Sequence, residues 1–138
     1  MDLGLAGSTA VVTGGSKGMG LAIAEALAAE GASVAVMARG AAALDAAVEK
    51  LRAAGAPDAL GISVDMADPA SIVAGFAFVA DLWGQLNSLV HTIGPGDGYF
   101  EDMEDSDWDA AFALGTCRVC DQFVLRCLCC VRQTGRAS

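Results

Sequence analysis

The chain has 138 residues, of which 54% are hydrophobic and 18% are charged, and it contains 17 glycines. This length suits one domain, and the large apolar fraction excludes a disordered chain. The formal net charge of −9 disfavours nucleic acid as a partner, and no charge-free run reaches the roughly 20 residues of a membrane span.

The N-terminus lacks the basic-then-apolar leader of a secreted protein, so we expect a cytoplasmic domain with no membrane partner.

Charge and cysteine content change abruptly along the chain. Residues 1–116 contain 16 acidic residues, 4 basic residues and no cysteine, whereas residues 117–138 contain 1 acidic residue, 4 basic residues and all 5 cysteines. Such a break predicts a domain over 1–116 and an aberrant, cysteine-rich tail over 117–138, which we expect to continue the helix begun near Ser106.

Short apolar runs alternate with helical patterns through the first part of the chain. They predict strands at 8–12, 33–37, 60–64 and 88–92 and helices at 19–31, 41–54 and 69–83. Met19, Ile23, Ala24 and Leu27 have the spacing of an apolar helix face. This alternation predicts an α/β fold, a doubly wound parallel sheet with helices on both faces. Right-handed crossovers give the strand order 3-2-1-4.

Two helix starts carry acidic residues. Asp68 is a predicted N-cap with Pro69 at the first helical position. Residues 97–109 hold 7 acidic residues in 13, and a helix begins there with Asp105 or Ser106 as its cap. Its predicted buried stripe consists of Trp108, Phe112 and Leu114. We interpret the carboxylates as a solvated face in preference to a metal site, because the segment has no histidine and no tight ligand spacing.

The segment from Thr13 to Gly20, TGGSKGMG, lies between the first strand and the first helix. Glycines at 14, 18 and 20 allow a tight turn and a close approach of the backbone to a pyrophosphate. The helix N-terminus then offers free N–H groups and a positive dipole end to the phosphates. This strand–turn–helix context predicts a nucleotide site rather than an ordinary turn.

The spacing Thr-Gly-x-x-x-Gly-x-Gly resembles the short-chain dehydrogenase/reductase (SDR) family, and the resemblance implies that residues 1–116 are a dinucleotide-binding domain with a Rossmann-type fold, truncated after its fourth strand. Arg39 follows the second strand, where an acidic residue would hold the ribose of NAD. Arg39 and Lys17 are therefore expected to meet a 2′-phosphate, which favours NADP(H) over NAD(H). The alternative is that both are ordinary solvated cations.

Later segments also resemble the family. Val64-Asp65-Met66 is similar to its adenine-contacting segment, although Asp65 could instead cap the next turn. His91-Thr92-Ile93-Gly94 replaces the common Asn-Asn-Ala-Gly and is similar to the His-Ser-Ile-Gly of divergent members. We interpret His91 as a hydrogen-bonded strand-end residue rather than a general base. The cofactor-binding residues that the resemblance implies are Gly14, Ser16, Lys17, Gly18, Met19, Gly20, Arg39, Asp65, Met66, Thr92, Ile93 and Gly94.

The family's catalytic groups are not found in this sequence. SDR catalysis uses a Ser, a Tyr and a Lys four residues after the Tyr, but the single tyrosine, Tyr99, is followed four residues later by Met103. Gly115 stands where the family usually has a catalytic Asn. The resemblance covers residues 1–116, a little under half of a family member, so we predict no catalytic residue and no metal ligand.

The cysteine-rich segment admits three interpretations. A zinc site is disfavoured by the ligand spacing, and a disulfide scaffold by a cytoplasmic location. A shift of reading frame near Thr116 would convert residues 117–138 to a sequence that resembles the family's continuation.

Two functions remain open. The chain is the inactive cofactor half of an NADP(H)-dependent carbonyl or enoyl reductase, which takes a small-molecule substrate only in full-length form. Alternatively it is a non-catalytic binding module or pseudoenzyme. An unpaired fourth strand would favour a homo-oligomer.

Overall fold

The computed structural model of the chain describes residues 3–93 and 104–112. Within these ranges the elements are β1 (Thr9–Thr13), α1 (Gly18–Ala29), β2 (Ser33–Ala38), α2 (Ala41–Ala54), β3 (Ala59–Ser63), α3 (Pro69–Trp83), β4 (Ser88–His91) and α4 (Asp105–Phe112). The alternation of strand and helix that the apolar patterning predicts is confirmed.

The strands form one parallel sheet in the order β3-β2-β1-β4. This confirms the order 3-2-1-4 expected from right-handed crossovers. Thr13, the last residue of β1, pairs with Met37 of β2 and with His91 of β4. The carboxyl ends of three strands therefore lie side by side, and the loops that follow them share one edge of the sheet.

The sheet is packed on both faces. On one face Val12 and Val36 pack with α1 and α2, and on the other Val11 and Met37 pack with α3, which contributes Phe76. All five residues of β1 are buried, whereas the four residues of β4 are half-buried. Because β1 is covered by helices on both faces, its run of apolar residues does not alternate with polar ones.

Some strand boundaries differ by one residue from the predicted ones. Ser8 is not part of β1, because its N–H and its Oγ both donate to the carbonyl oxygen of Leu5, at 2.9 and 2.6 Å, and so close a turn. The third strand begins at Ala59, which pairs with Val34, and it ends at Ser63. These shifts leave the order and the direction of the strands unchanged.

The face that α1 presents to the sheet is made of small residues. Gly20, Ala24 and Ala28 are buried, whereas Met19 is 72% exposed. Met19 has the apolar spacing of the helix but does not belong to its buried face. Gly20 lies directly against the turn after β1 and so determines which face of the helix meets the sheet. Met19 is one residue earlier, which is a rotation of about 100° around the helix axis, and its side chain therefore faces away from the core.

The start of α3 has the predicted cap. Asp68 accepts hydrogen bonds from the N–H groups of Ala70, at 3.0 Å, and Ser71, at 3.3 Å, and Pro69 occupies the first helical position. The side chain of Asp68 thus satisfies donors that the helix itself leaves unpaired.

The start of α4 differs from the prediction. Asp105 and Ser106 are both helical, and the side chain of Asp107 accepts from the N–H of Glu104 at 2.9 Å. Trp108 is 37% exposed, so its predicted burial is wrong: residues 104–110 all lie on the surface of the described structure. The side chain of Phe112, together with Leu114, Tyr99, Met103, Gly115 and the cysteine-rich segment, lies outside what the structure describes.

Candidate functional site

An open cleft of about 770 Å³ lies at the carboxyl edge of the sheet, where the turns after β1, β2 and β3 meet the residues that follow β4. Its lining residues are Gly14, Ser16, Lys17, Gly18, Met19, Gly20, Ala38, Arg39, Gly40, Ala43, Val64, Asp65, Met66, Ala67, Thr92 and Ile93. The structure thus brings together every residue predicted to bind a cofactor except Gly94, which lies outside the described residues. Cavities that hold organic ligands have volumes of roughly 300–1,000 Å³.

The close approach of Thr92 to the glycine turn depends on Gly14 and Gly20. Gly14 has φ +76°, and a Cβ there would lie 2.8 Å from Thr92 Oγ1. A Cβ on Gly20 would meet the carbonyl oxygen of Gly14 and lie 2.6 Å from the same Thr92 oxygen. The hydroxyl of Thr92 therefore occupies the space that two side chains would need, and it fixes how closely β4 approaches the turn.

Threonine hydroxyls hold the ends of β1 and β4 together. Thr92 Oγ1 donates to the carbonyl oxygen of Thr13 at 2.7 Å, and the N–H of Thr92 donates to the same carbonyl at 3.1 Å. Thr13 Oγ1 lies 2.6 Å from Nδ1 of His91, and Thr13 is fully buried. These contacts place His91 in a hydrogen bond at the end of the strand, as its predicted structural role requires.

The first turn of α1 faces the cleft without a side-chain cap. Its N-cap residue, Lys17, forms no capping hydrogen bond, in contrast to the two bonds that Asp68 makes at the start of α3. The first N–H groups of a helix have no intrahelical acceptor, and they carry the positive end of the helix dipole. Such a helix start can accept an anion.

The two basic residues that line the cleft are Lys17 and Arg39. Both are exposed, and neither forms an ion pair with any residue in 3–93 or 104–112, where the ion pair that is present joins Arg52 to Glu49 at 3.1 Å. The backbone of Arg39 is anchored, because Ser63 Oγ donates to its carbonyl oxygen at 3.4 Å. The guanidinium thus extends from a fixed point at the end of β2.

Asp65 performs the turn-capping role that was the alternative to adenine contact. Its Oδ1 accepts from the N–H of Ala67 at 2.9 Å, and its own N–H donates to Ser71 Oγ at 3.0 Å. Asp65 is nevertheless exposed and lines the cleft. Met66 is only 4% exposed, because its side chain packs into the core beneath α3.

The structure adds lining residues that the sequence analysis did not predict. They are Ala38, Gly40, Ala43 and Ala67. All four are small, so nothing in their side-chain chemistry separates them from core residues. The available signal is positional, because each lies within a few residues of the end of a predicted strand.

The family model for the short chain dehydrogenases matches residues 8–128. The chain belongs to this family. A protein of Caenorhabditis elegans, dehydrogenase/reductase SDR family member 4, is 37% identical over 110 residues, which are 78% of this chain and 42% of the relative. The chain thus spans less than half the length of that relative, and the family match continues past the predicted boundary at Thr116.

Solved structures of reductases share the fold. The L-sorbose reductase of Gluconobacter frateurii, solved with NADPH and L-sorbose, has a TM-score of 0.82 and 30% identity over 98% of this chain and 51% of its own. A metagenomic short-chain oxidoreductase solved with NADP has a TM-score of 0.77 and 30% identity over 96% of this chain and 60% of its own. The similarity covers the sheet and the helices that surround the cleft.

Neither a membrane-spanning helix nor a metal cluster is found among residues 3–93 and 104–112. None of the helices there is long and apolar enough to cross a membrane. No cluster of three or more His, Cys, Asp or Glu side chains within the described part of the chain has the arrangement of a metal site.

Proposed function

We propose that this chain is the NADP(H)-binding part of an SDR oxidoreductase. The family's reaction is hydride transfer between the nicotinamide and a carbonyl, alcohol or enoyl substrate, and the bound cofactor supplies that chemistry. The observation that carries the proposal is the cleft itself, in which three features face one space: the uncapped start of α1, two glycines without room for a Cβ, and two cations that have no ion pair within residues 3–93 and 104–112.

The residues around α1 fit a pyrophosphate. The missing side chains at Gly14 and Gly20 let the backbone approach a phosphate closely, and the free N–H groups of the first turn donate to its oxygens. Lys17 adds a positive charge at the same place, and it is free of ion pairs among the described residues. Binding here would therefore neutralise a phosphate without breaking an existing salt bridge.

Arg39 favours NADP(H) over NAD(H). It directly follows β2, where an acidic residue would accept hydrogen bonds from the ribose of NAD and repel a 2′-phosphate. A guanidinium binds phosphate through two parallel hydrogen bonds. The carboxylate on the cleft wall, Asp65, follows β3 rather than β2, and its Oδ1 accepts a hydrogen bond from the N–H of Ala67. Both solved relatives described above hold NADPH or NADP.

On its own the chain is proposed to bind cofactor without turning over substrate. Its sequence contains no tyrosine followed by lysine at the fourth position, so it has no group to pass a proton to the substrate carbonyl. A small-molecule substrate belongs to the full-length form. The second candidate, a non-catalytic binding module, rests on the same absence.

The proposal includes a cytoplasmic location, where thiols remain reduced, and self-association through the edge of β4.

The test compares two arginines. NADPH and NADH are titrated into the full chain and binding is followed by nicotinamide fluorescence. Arg39→Ser is expected to weaken NADPH about 10- to 100-fold while leaving NADH nearly unchanged, since it removes charge-assisted hydrogen bonds to the 2′-phosphate. The matched control is Arg52→Ser, which removes an exposed arginine that lies outside the cleft.

Equal affinity of the parent chain for NADPH and NADH would refute the preference for NADP(H). Failure of both to bind, or to raise the melting temperature, would refute the cofactor site. Oxidation of NADPH by this chain with any carbonyl substrate would refute the claim that it is inactive alone.

A further inference from the structure

Met19 stands out among the methionines that the structure describes. Its side chain is 72% exposed and lines the cleft, whereas Met37 is fully buried and Met66 is 4% exposed. Burying a methionine side chain stabilises a fold by removing apolar surface from water, and most of this stabilisation is unused at position 19. A thioether in this position is open to small polar reagents from solvent.

The position of Met19 along α1 places its sulfur near the phosphate-binding groups. Met19 is the second residue of the helix, and side chains on a helix lean toward its N-terminus. The thioether therefore lies over the turn that contains Lys17 and Gly18, at the same helix start that has no side-chain cap. A change in the polarity of this side chain acts directly where phosphate oxygens would accept hydrogen bonds.

We propose that Met19 is a site of reversible oxidation that regulates cofactor binding, an inference that rests on the proposed function. The oxidant is a peroxide. The sulfur lone pair attacks one peroxide oxygen, an S–O bond forms as the O–O bond breaks, and the leaving oxygen departs as water with the proton of the transferred oxygen. The sulfur loses two electrons and the peroxide gains them, giving methionine sulfoxide.

Oxidation opposes cofactor binding for two reasons. The sulfoxide oxygen is a strong hydrogen-bond acceptor that carries partial negative charge, so it repels phosphate oxygens. The three rotatable bonds of the side chain also let it reach the free N–H groups of the first turn and occupy them as a cap would. Both effects act only on the anion-binding end of the cleft, and the core beneath Ala24 and Ala28 is untouched.

The experiment treats the full chain with limiting hydrogen peroxide and maps oxidised peptides by mass spectrometry. Met19 is expected to gain oxygen well before Met37 and Met66. The NADPH dissociation constant is expected to rise about tenfold, the effect of one lost or opposed charge-assisted hydrogen bond. Dithiothreitol alone, which reverses disulfides among the five cysteines, leaves the loss in place. Methionine sulfoxide reductases restore binding when dithiothreitol is present as their two-electron reductant.

The controls use the ratio of dissociation constants after and before peroxide within each protein. This ratio is expected to be about 10 for the parent and for Met66→Leu, and near 1 for Met19→Leu, which has no sulfur at this position. An equal rise in Met19→Leu, or parent protein that binds NADPH unchanged with Met19 oxidised, would overturn this inference alone. Absence of NADPH binding before treatment would instead overturn the proposed function and this inference with it.

Discussion

Replacing Gly20 by alanine tests whether the contact between the glycine turn and Thr92 sets the geometry of the cleft. The added Cβ would meet the carbonyl oxygen of Gly14 and lie 2.6 Å from Thr92 Oγ1. Neither obstacle is the far end of a flexible side chain, because one is backbone and the other is held by its hydrogen bond to Thr13. The strand and the turn must therefore move apart.

The magnitude follows from two opposing effects. Overpacking of this kind costs typically 1–3 kcal/mol, and alanine offsets about 1 kcal/mol of that because it is the better helix former. We expect the free energy of unfolding to fall by up to about 2 kcal/mol and the melting temperature by up to about 8 °C. NADPH affinity falls as well, because the turn no longer fits the phosphates.

Urea unfolding followed by circular dichroism gives the stability, and fluorescence titration gives the affinity. Gly40→Ala is the matched control: Gly40 lines the same cleft, its φ is −91°, and a Cβ there would be 3.9 Å from its nearest neighbour, an ordinary contact. If Gly20→Ala matches the parent in both measurements, the argument that Thr92 and Gly14 leave no space is refuted.

Two other predictions concern α3 and the cysteine-rich segment. Asp68→Ala removes the acceptor for two N–H groups of α3 and is expected to lower the free energy of unfolding, measured in urea, by about 1 kcal/mol. The control is Asp81→Ala, which removes an exposed carboxylate near the other end of α3 and is expected to change this free energy by less than about 0.5 kcal/mol. Similar losses in both variants would contradict the capping argument. Sequencing the gene across codons 110–138 is expected to show a shifted reading frame that continues into a serine and a Tyr-x-x-x-Lys motif. An intact frame that stops after Ser138 would instead favour the non-catalytic module.

Much of the fold could be predicted because its determinants are local in sequence. Buried runs such as those of β1 and β2 are apolar throughout, and Asp68 with Pro69 marks a helix start by its residue types. The burial of Trp108 was predicted wrongly, and which face of α1 is buried could not be predicted, because apolar periodicity identifies a helix but does not determine which side meets the sheet. That choice depends on Gly20, whose lack of a side chain lets α1 approach the turn.

The residues of the candidate site likewise include some that the sequence predicts and others that it does not. The glycine spacing identified the turn, and Lys17 and Arg39 were identified by their charge near strand ends. The role of Thr92 could not be predicted from its residue type, because its contact with Gly14 and Gly20 exists only once β4 is in register with β1. Small lining residues such as Ala43 were missed because a short apolar side chain has the same signature in a core and in a cleft.

The order of the strands has a consequence for how the domain folds. β1 must pair with a strand far away in sequence, since the contact between Thr13 and His91 joins residues 78 positions apart, whereas β1 pairs with β2 after a single helix. Contacts of long sequence separation form slowly, and during synthesis the residues that supply them emerge last. We therefore expect β1, β2 and β3 to assemble first, with one edge of β1 left open.

That edge of β1 presents the uncharged sequence TAVVT, a template for pairing with another nascent chain. The arrival of β4 covers this edge and completes the cofactor cleft in the same step.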